Sequence, residues 1–413
     1  MKIAESFGLK SFTLILAFFA VVVARSYGQS SDLAIKALID KGFENVSCTE
    51  TEAERVYVLQ NAAYRIESVG AVEAVDVIQK NGMPADKDCR IVVLNNNVPQ
   101  YSLLYRKGEA DPDGTQVDSV LARSGWEASY DLGESWSQAR KTHKENRSLY
   151  KVDLVVYPQL QFRNLIIDKM YTFLFNISPA VQVSLWNGMK LTGQIIFPII
   201  NEYGLDYDQI RQGYVTLSQS VRFENLFLTA TVGTFNNFRW GGGLSGKYVF
   251  KDPRFQLDGE IAYSGVSKFK NFRWKVSPLK RLTFSVGGSF YWQKFNTTIS
   301  AHVEQYLLGE KGVKGQIVRH FKYASIGFYA MKVQHAGNHG YNGGFSFQAA
   351  LPPYKVKRHG YIPRVMMSRY AGLNYNAGNE RYYGRGFKMD LDSNIANDNS
   401  FNPIYIKSEL LNH

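Results

Sequence analysis

The side chains best suited to chemistry lie in the C-terminal third. There Lys355, Lys357, Arg358, Arg364, Arg369, Arg381 and Arg385 are interleaved with Tyr370, Tyr375 and Tyr382. Guanidinium and ammonium groups pair with carboxylate, phosphate or sulfate, and aromatic faces stack on sugar rings. Two readings follow: a surface that guides an acidic polysaccharide, and a basic rim held against anionic lipid. Charge pattern alone does not separate them. A second basic run, Arg140, Lys141, Lys144, Arg147 and Lys151 beside Trp136, reads first as a solvated face.

Other chemistry is thinly supported. Asp111 to Asp118 resembles a calcium loop, but the sixth position is Gln116 instead of Gly and the twelfth is Ala122 instead of Glu. His335 and His339 fall in a Gly-containing loop with no third ligand, so no metal site is expected. No Gly-x-Ser-x-Gly elbow, phosphate loop or His-Glu-x-x-His motif occurs, so neither an enzyme nor a cofactor is expected. Cys48 and Cys89 are the two cysteines. They could pair in an oxidising compartment, and two unpaired buried thiols fit the sequence equally.

The elements that carry these residues read as strands. From Arg281 to Gln293, Leu282, Phe284, Val286, Phe290 and Trp292 fall on one face, and Thr283, Ser285 and Ser289 on the other. Such two-sided runs recur from residue 151 onward, at about the 9–11 residues a tilted membrane-crossing strand needs. Asn187-Gly188 between two of them predicts a hairpin with a type I′ turn. Aromatic residues cluster near strand ends, including Tyr171, Trp186, Tyr248, Phe250 and Trp292. Transmembrane barrels place such rings in interfacial girdles. A soluble sandwich is the rival, with shorter strands and a more aliphatic face.

The start of the chain supports export. Lys2 and Lys10 precede the apolar run from Phe12 to Ala24, followed by a Gly28/Gln29 junction. This is the pattern of a cleaved signal peptide, 1–28. The 413-residue chain has a net charge of +12, with 26 Tyr and 26 Phe. Outside the cytoplasm a basic protein meets anionic lipid or acidic polymers, and no nucleic-acid motif is present.

Residues 29–110 have a different texture. Helical spacing over 32–41 and 69–80 alternates with short strand patterns, and Asn95-Asn-Asn97 reads as a hairpin turn. The run Lys41-Gly-Phe-Glu-Asn-Val46, then Val56-Tyr-Val58, then Gln60-Asn-Ala-Ala-Tyr-Arg65, resembles the opening of YjbH/GfcD-type outer-membrane proteins. The Gly-rich strands at Arg239–Leu244 and Tyr341–Phe345 are also similar to that family. The resemblance implies a β-barrel with small periplasmic domains, a role in exopolysaccharide or capsule export, and periplasmic export components as partners. This chain is much shorter than the larger members, and it ends in Leu-Asn-His413 without a terminal aromatic residue.

The expectation is an all-β transmembrane barrel, antiparallel and of about 12 strands, with a small N-terminal α+β periplasmic domain. Its divisions are a signal peptide (1–28), the α+β module (29–110), a linker with basic segment (111–150) and an outer-membrane barrel (151–413). A general porin-like channel and a structural or adhesin barrel are the alternatives to export.

Overall fold

The computed structural model describes residues 31–107, 123–164, 171–270, 273–335, 338–377, 384–389, 391 and 399–412. The expected signal peptide (1–28), the calcium-like loop, Arg381 and Tyr382 lie outside them.

The N-terminal module holds a five-stranded sheet in sequence order: β1 (Glu44–Glu50), β2 (Glu54–Gln60), β3 (Asp88–Asn95), β4 (Val98–Tyr105) and β5 (Trp126–Ser129). Helix α1 (residues 31–41) ends at Gly42, whose φ of 100° suits a residue without Cβ. Helix α2 (Glu67–Asn81) crosses between the parallel strands β2 and β3. It buries Ala71, Val72, Ala74, Val75 and Ile78 in a core with Leu38, Tyr57, Ile91 and Trp126. The β3–β4 turn places Asn96 and Asn97 at φ 48° and 63°, the left-handed pair of a type I′ hairpin.

Part of the segment read as a linker belongs here. Strand β5 pairs with β4, and α3 (Trp136–Ala139) covers Val56, Val58 and Val92. The module also takes its last element from the far end of the chain. Helix α4 (Pro403–Leu411) is capped by the Asn402 side chain, which accepts from Ile404 N at 2.9 Å. It places Ile406 and Leu410 in the same core.

Cys48 and Cys89 are free thiols. Cys48 lies opposite Tyr57 and Cys89 opposite Arg55, so β2 runs between them. Two strand spacings amount to about 9–10 Å, beyond the roughly 7 Å limit for Cα atoms of a disulfide. The pairing alternative is corrected on that geometry.

The second sheet begins with β6 (Val152–Asn164), β7 (Tyr171–Trp186), β8 (Met189–Asn201), β9 (Arg211–Phe223), β10 (Leu226–Phe235), β11 (Arg239–Val249) and β12 (Phe255–Lys270). It continues through β13 (Arg273–Val276), β14 (Arg281–Trp292), β15 (Thr297–Gln305), β16 (Lys311–His320), β17 (Ala324–His335) and β18 (Asn338–Ala350). The last strands are β19 (Arg364–Met367) and β20 (Tyr370–Asn376). Among the described residues this sheet has fifteen strands where about twelve were expected. The surplus is short: β13 is a hairpin extension of β12, and the run read as one strand from Val365 to Tyr375 divides at Ser368-Arg369.

Consecutive neighbours are antiparallel throughout this meander. Strand β19 pairs in parallel with β6, and β20 pairs antiparallel with β18. One stretch, Arg364 to Asn376, thus borders both ends of the strand order.

The β7–β8 hairpin forms at Asn187-Gly188, but only Gly188 takes a positive φ, 79°. The turn is therefore not type I′. A bulge between Ser184 and Trp186 supplies the local twist instead.

Candidate functional site

Burial is inverted relative to a soluble sheet. On β7, Tyr171, Phe173, Ile177 and Val181 are exposed, while Thr172, Asn176 and Ser178 between them are buried. On β8, Ile195 is 50% exposed and Gln194 1%. Ile261, Val286, Val303, Ile317 and Phe328 repeat the outward apolar pattern, and Ser264, Ser289, Ser300 and Ser325 the inward polar one. No helix among the described residues is long and apolar enough to cross a membrane, which says nothing about strands.

The inward face is not empty. Residues 384–389 and 391 run against it. Leu307 N donates to Arg385 O at 3.0 Å, and the Tyr214 hydroxyl donates to Lys388 O at 3.3 Å. Gln159 Nε2 donates to Leu391 O at 3.5 Å. Phe387 meets Phe235 edge-on at 5.1 Å, and Met389 packs with Tyr214, Phe235 and Ala262. Leu391 packs with Val155 and Tyr157, while Gly384 sits beside Met331.

Strands β6 and β17 are ten steps apart in the strand order, about 48 Å along a flat sheet at ~4.8 Å per step. Gly384 to Leu391 spans at most about 25 Å. One short segment can touch both strands only because the sheet wraps around it. It starts at the end of the sheet away from the module, by Leu307. Residues 399–412 lie at the opposite end, where Asn402 Nδ2 donates to Pro253 O at 3.4 Å.

The cationic residues singled out in the sequence divide between several places. Lys355 Nζ donates to the Tyr64 hydroxyl at 2.9 Å, and Lys357 Nζ to Asp40 O at 2.7 Å. Arg358 spans Glu44 (3.0 Å) and Asp153 (2.6 Å), and Arg364 grips both Asp153 oxygens at 2.8 and 3.0 Å. Lys151, from the other basic run, joins Glu44 at 3.1 Å. Arg364 also donates to Ala62 O, and Arg65 to Met367 O. Burial, with Arg369 and Arg364 close by, pulls the Arg65 guanidinium down to about 10. These groups clamp the module to the first and last strands of the sheet.

The remainder are scattered. Arg369 donates to Ser400 Oγ at 3.4 Å, and Tyr370 opens β20 opposite Ala350. Tyr375 stacks on the outward Phe345. Arg385 lies on the inward segment. His335 and His339 stand opposite Asn338 and Gln334 on β17 and β18 instead of in a loop. Among the described residues no three His, Cys, Asp or Glu side chains are placed to hold a metal ion.

Sequence reading missed the inward segment and the C-terminal helix. Phe387, Met389 and Leu391 alternate with Lys388 and Asp390, a period-2 signal for an extended run with one apolar edge. Asn402-Pro403 ahead of Tyr405, Ile406 and Leu410 is a helix start with an apolar stripe.

No family model matches the sequence, and no curated protein matches it. Among solved structures, the chain is similar to OmpT, an outer membrane protein of Vibrio cholerae. That match has 9% identity and a TM-score of 0.31, and covers 55% of this chain and 89% of that one. A triple mutant of the Rhodopseudomonas blastica porin matches at 8% identity and TM-score 0.28, over 55% of this chain and 99% of that one.

Proposed function

We propose that this chain is an outer-membrane β-barrel that takes part in exopolysaccharide or capsule export or assembly, with its N-terminal module in the periplasm. The observation that carries the membrane reading is the inverted burial: apolar side chains outward, hydroxyls and amides inward. Exposed rings at the module end of the sheet, including Trp186, Phe223, Tyr248, Trp292 and Phe321, suit an interfacial girdle. In this reading Arg364 to Asn376 acts as one strand that closes the cylinder. Counting it once and setting β13 aside gives thirteen strands, and an odd number requires one parallel seam, which β19 and β6 supply.

The export role extends the resemblance of the N-terminal module. The occupied inward face supports a gated conduit over a permanently open pore. A small-solute channel would use the same barrel, and its polar inward wall suits one. The segment around Met389 would then have to leave the lumen before solutes pass.

Two experiments test the reading in turn. Membrane-extracted protein should run faster on a gel unboiled than boiled, in the outer-membrane fraction; a soluble protein without a heat shift would sink the barrel. A deletion strain should lose surface polysaccharide. Unchanged polysaccharide with altered solute uptake would move the function to the channel.

A further inference from the structure

The end of the sheet away from the module carries arginines that the inward face brings together. Arg239 opens β11 opposite Phe235, which is buried on the inward side. Arg281 opens β14 opposite Ser264, also buried and inward. Paired residues share a face, so both arginines point the same way. The two flank β12 from either side, opposite Val266 and Ser264. Arg385 of the inward segment lies at the same end, where its carbonyl accepts from Leu307 N at 3.0 Å just past β15, the neighbour of β14.

None of the three forms an ion pair among the described residues. The neighbouring Lys268 has its own partner, Asp206, at 2.6 Å. Ser264 Oγ lies fully buried next to Arg281 and makes no hydrogen bond among the described residues. Gly241, opposite Ser264, puts no side chain there. Among the described residues, these three cations and an unpaired hydroxyl gather at one end of the inward face, and none of the three arginines has an ion-pair partner there.

We propose that Arg239, Arg281 and Arg385 bind an anionic polymer carrying carboxylate, phosphate or sulfate groups as it meets the mouth of the lumen. This rests on the barrel reading, which makes the inward face a lumen. The orientation favours a polymer over a lipid: headgroups meet the outward face, and these side chains share the face of Phe235 and Ser264. Because Arg385 belongs to the inward segment, a bound anion bridges that segment to the wall and relieves the repulsion among the three.

The test uses the full chain in detergent micelles, each sample first checked for the heat shift. Fluorescein-labelled oligogalacturonate is titrated by anisotropy into the wild type, Arg239→Gln, Arg281→Gln and the double variant. Each single change should weaken binding about tenfold, the size of one charge-assisted contact, and added salt should weaken it further. A neutral dextran oligomer should not bind. Equal binding by wild type and double variant, or by dextran, overturns the site while the heat shift stands. Displacement of the probe by phosphatidylglycerol and not by phosphatidylcholine assigns the arginines to lipid and overturns the polymer. Absence of the heat shift in wild type overturns the barrel reading itself.

Discussion

Lys407, in the C-terminal helix, donates through Nζ to Trp126 O at 2.5 Å, across 281 residues of sequence. The same amine reaches Ser124 O at 2.6 Å. The last helix is therefore part of the module built by the start of the chain, and the chain between them makes the whole second sheet. The module core thus includes Ile406 and Leu410, which follow the inward segment in sequence.

Ile406 should report this dependence. It is fully buried among Leu38, Ala74 and Ile78. Ile406→Ala is expected to cost about 2–4 kcal/mol, seen as a lower urea midpoint for module fluorescence from Trp126. The heat shift of the sheet should survive. An unchanged midpoint would mean that the helix only rests on the module.

Asp153 should hold the junction. Its carboxylate accepts from both Arg358 and Arg364, and Arg358 also serves Glu44. Asp153→Asn leaves two sequestered guanidiniums short of a counter-charge, a loss of about 3 kcal/mol. The gel band of the folded form should convert to the unfolded form at lower temperature. A neutral Asp153→Asn would show that the Glu44 contact alone suffices.

The two cysteines give a pH signature. Burial first, then the charge of Glu50, pushes the Cys48 thiol up to about 12; burial raises Cys89 as well. Folded-state values above the unfolded ones mean that the folded module keeps protons the unfolded chain releases. That stability is complete below about pH 8.5, the ordinary thiol value, and declines as pH rises from there towards 12. In native protein at pH 8 the buried Cys89 should not react with a thiol reagent, the half-buried Cys48 should react slowly because its thiol stays protonated, and urea should expose both. Melting of the module should shift down between pH 9 and 10.5. Prompt labelling of Cys89 in native protein would contradict its burial.

The sequence made some of this readable and hid the rest for physical reasons. Strands such as Arg281–Trp292 were visible because period-2 alternation is local, and helix α2 was visible from its apolar spacing. Arg239 and Arg281 are 42 positions apart in sequence and become neighbours only through the β11–β12–β14 register. Lys355, Lys357, Arg358 and Arg364 looked like one surface because they are close in sequence. Folding spends them on Tyr64, Asp40, Glu44 and Asp153, which local patterning cannot show. The division of Val365–Tyr375 at Ser368 was equally hidden, since Ser368 N donates to Val156 O on a strand more than 200 residues earlier.

The inward segment allows the most direct test of whether the sheet conducts. Phe387 and Met389 hold it against Phe235, Tyr214 and Ala262, Leu391 packs at its far end against Val155 and Tyr157, and Tyr214 and Gln159 donate hydrogen bonds to its carbonyls. Removing both side chains forfeits a large part of the apolar burial that opposes the segment's conformational freedom, about 4–8 kcal/mol for two large-to-small changes, and leaves only Leu391. The paired substitutions Phe387→Gly and Met389→Gly leave the C-terminal helix intact, so the module still closes. In planar bilayers the wild type should show rare, small openings, and the double variant frequent, larger ones. Restoring Met389 alone should return part of the closed time. Equal conductance in all three proteins would mean that the segment does not limit passage, and the polar inward wall would then have to be treated as an open channel.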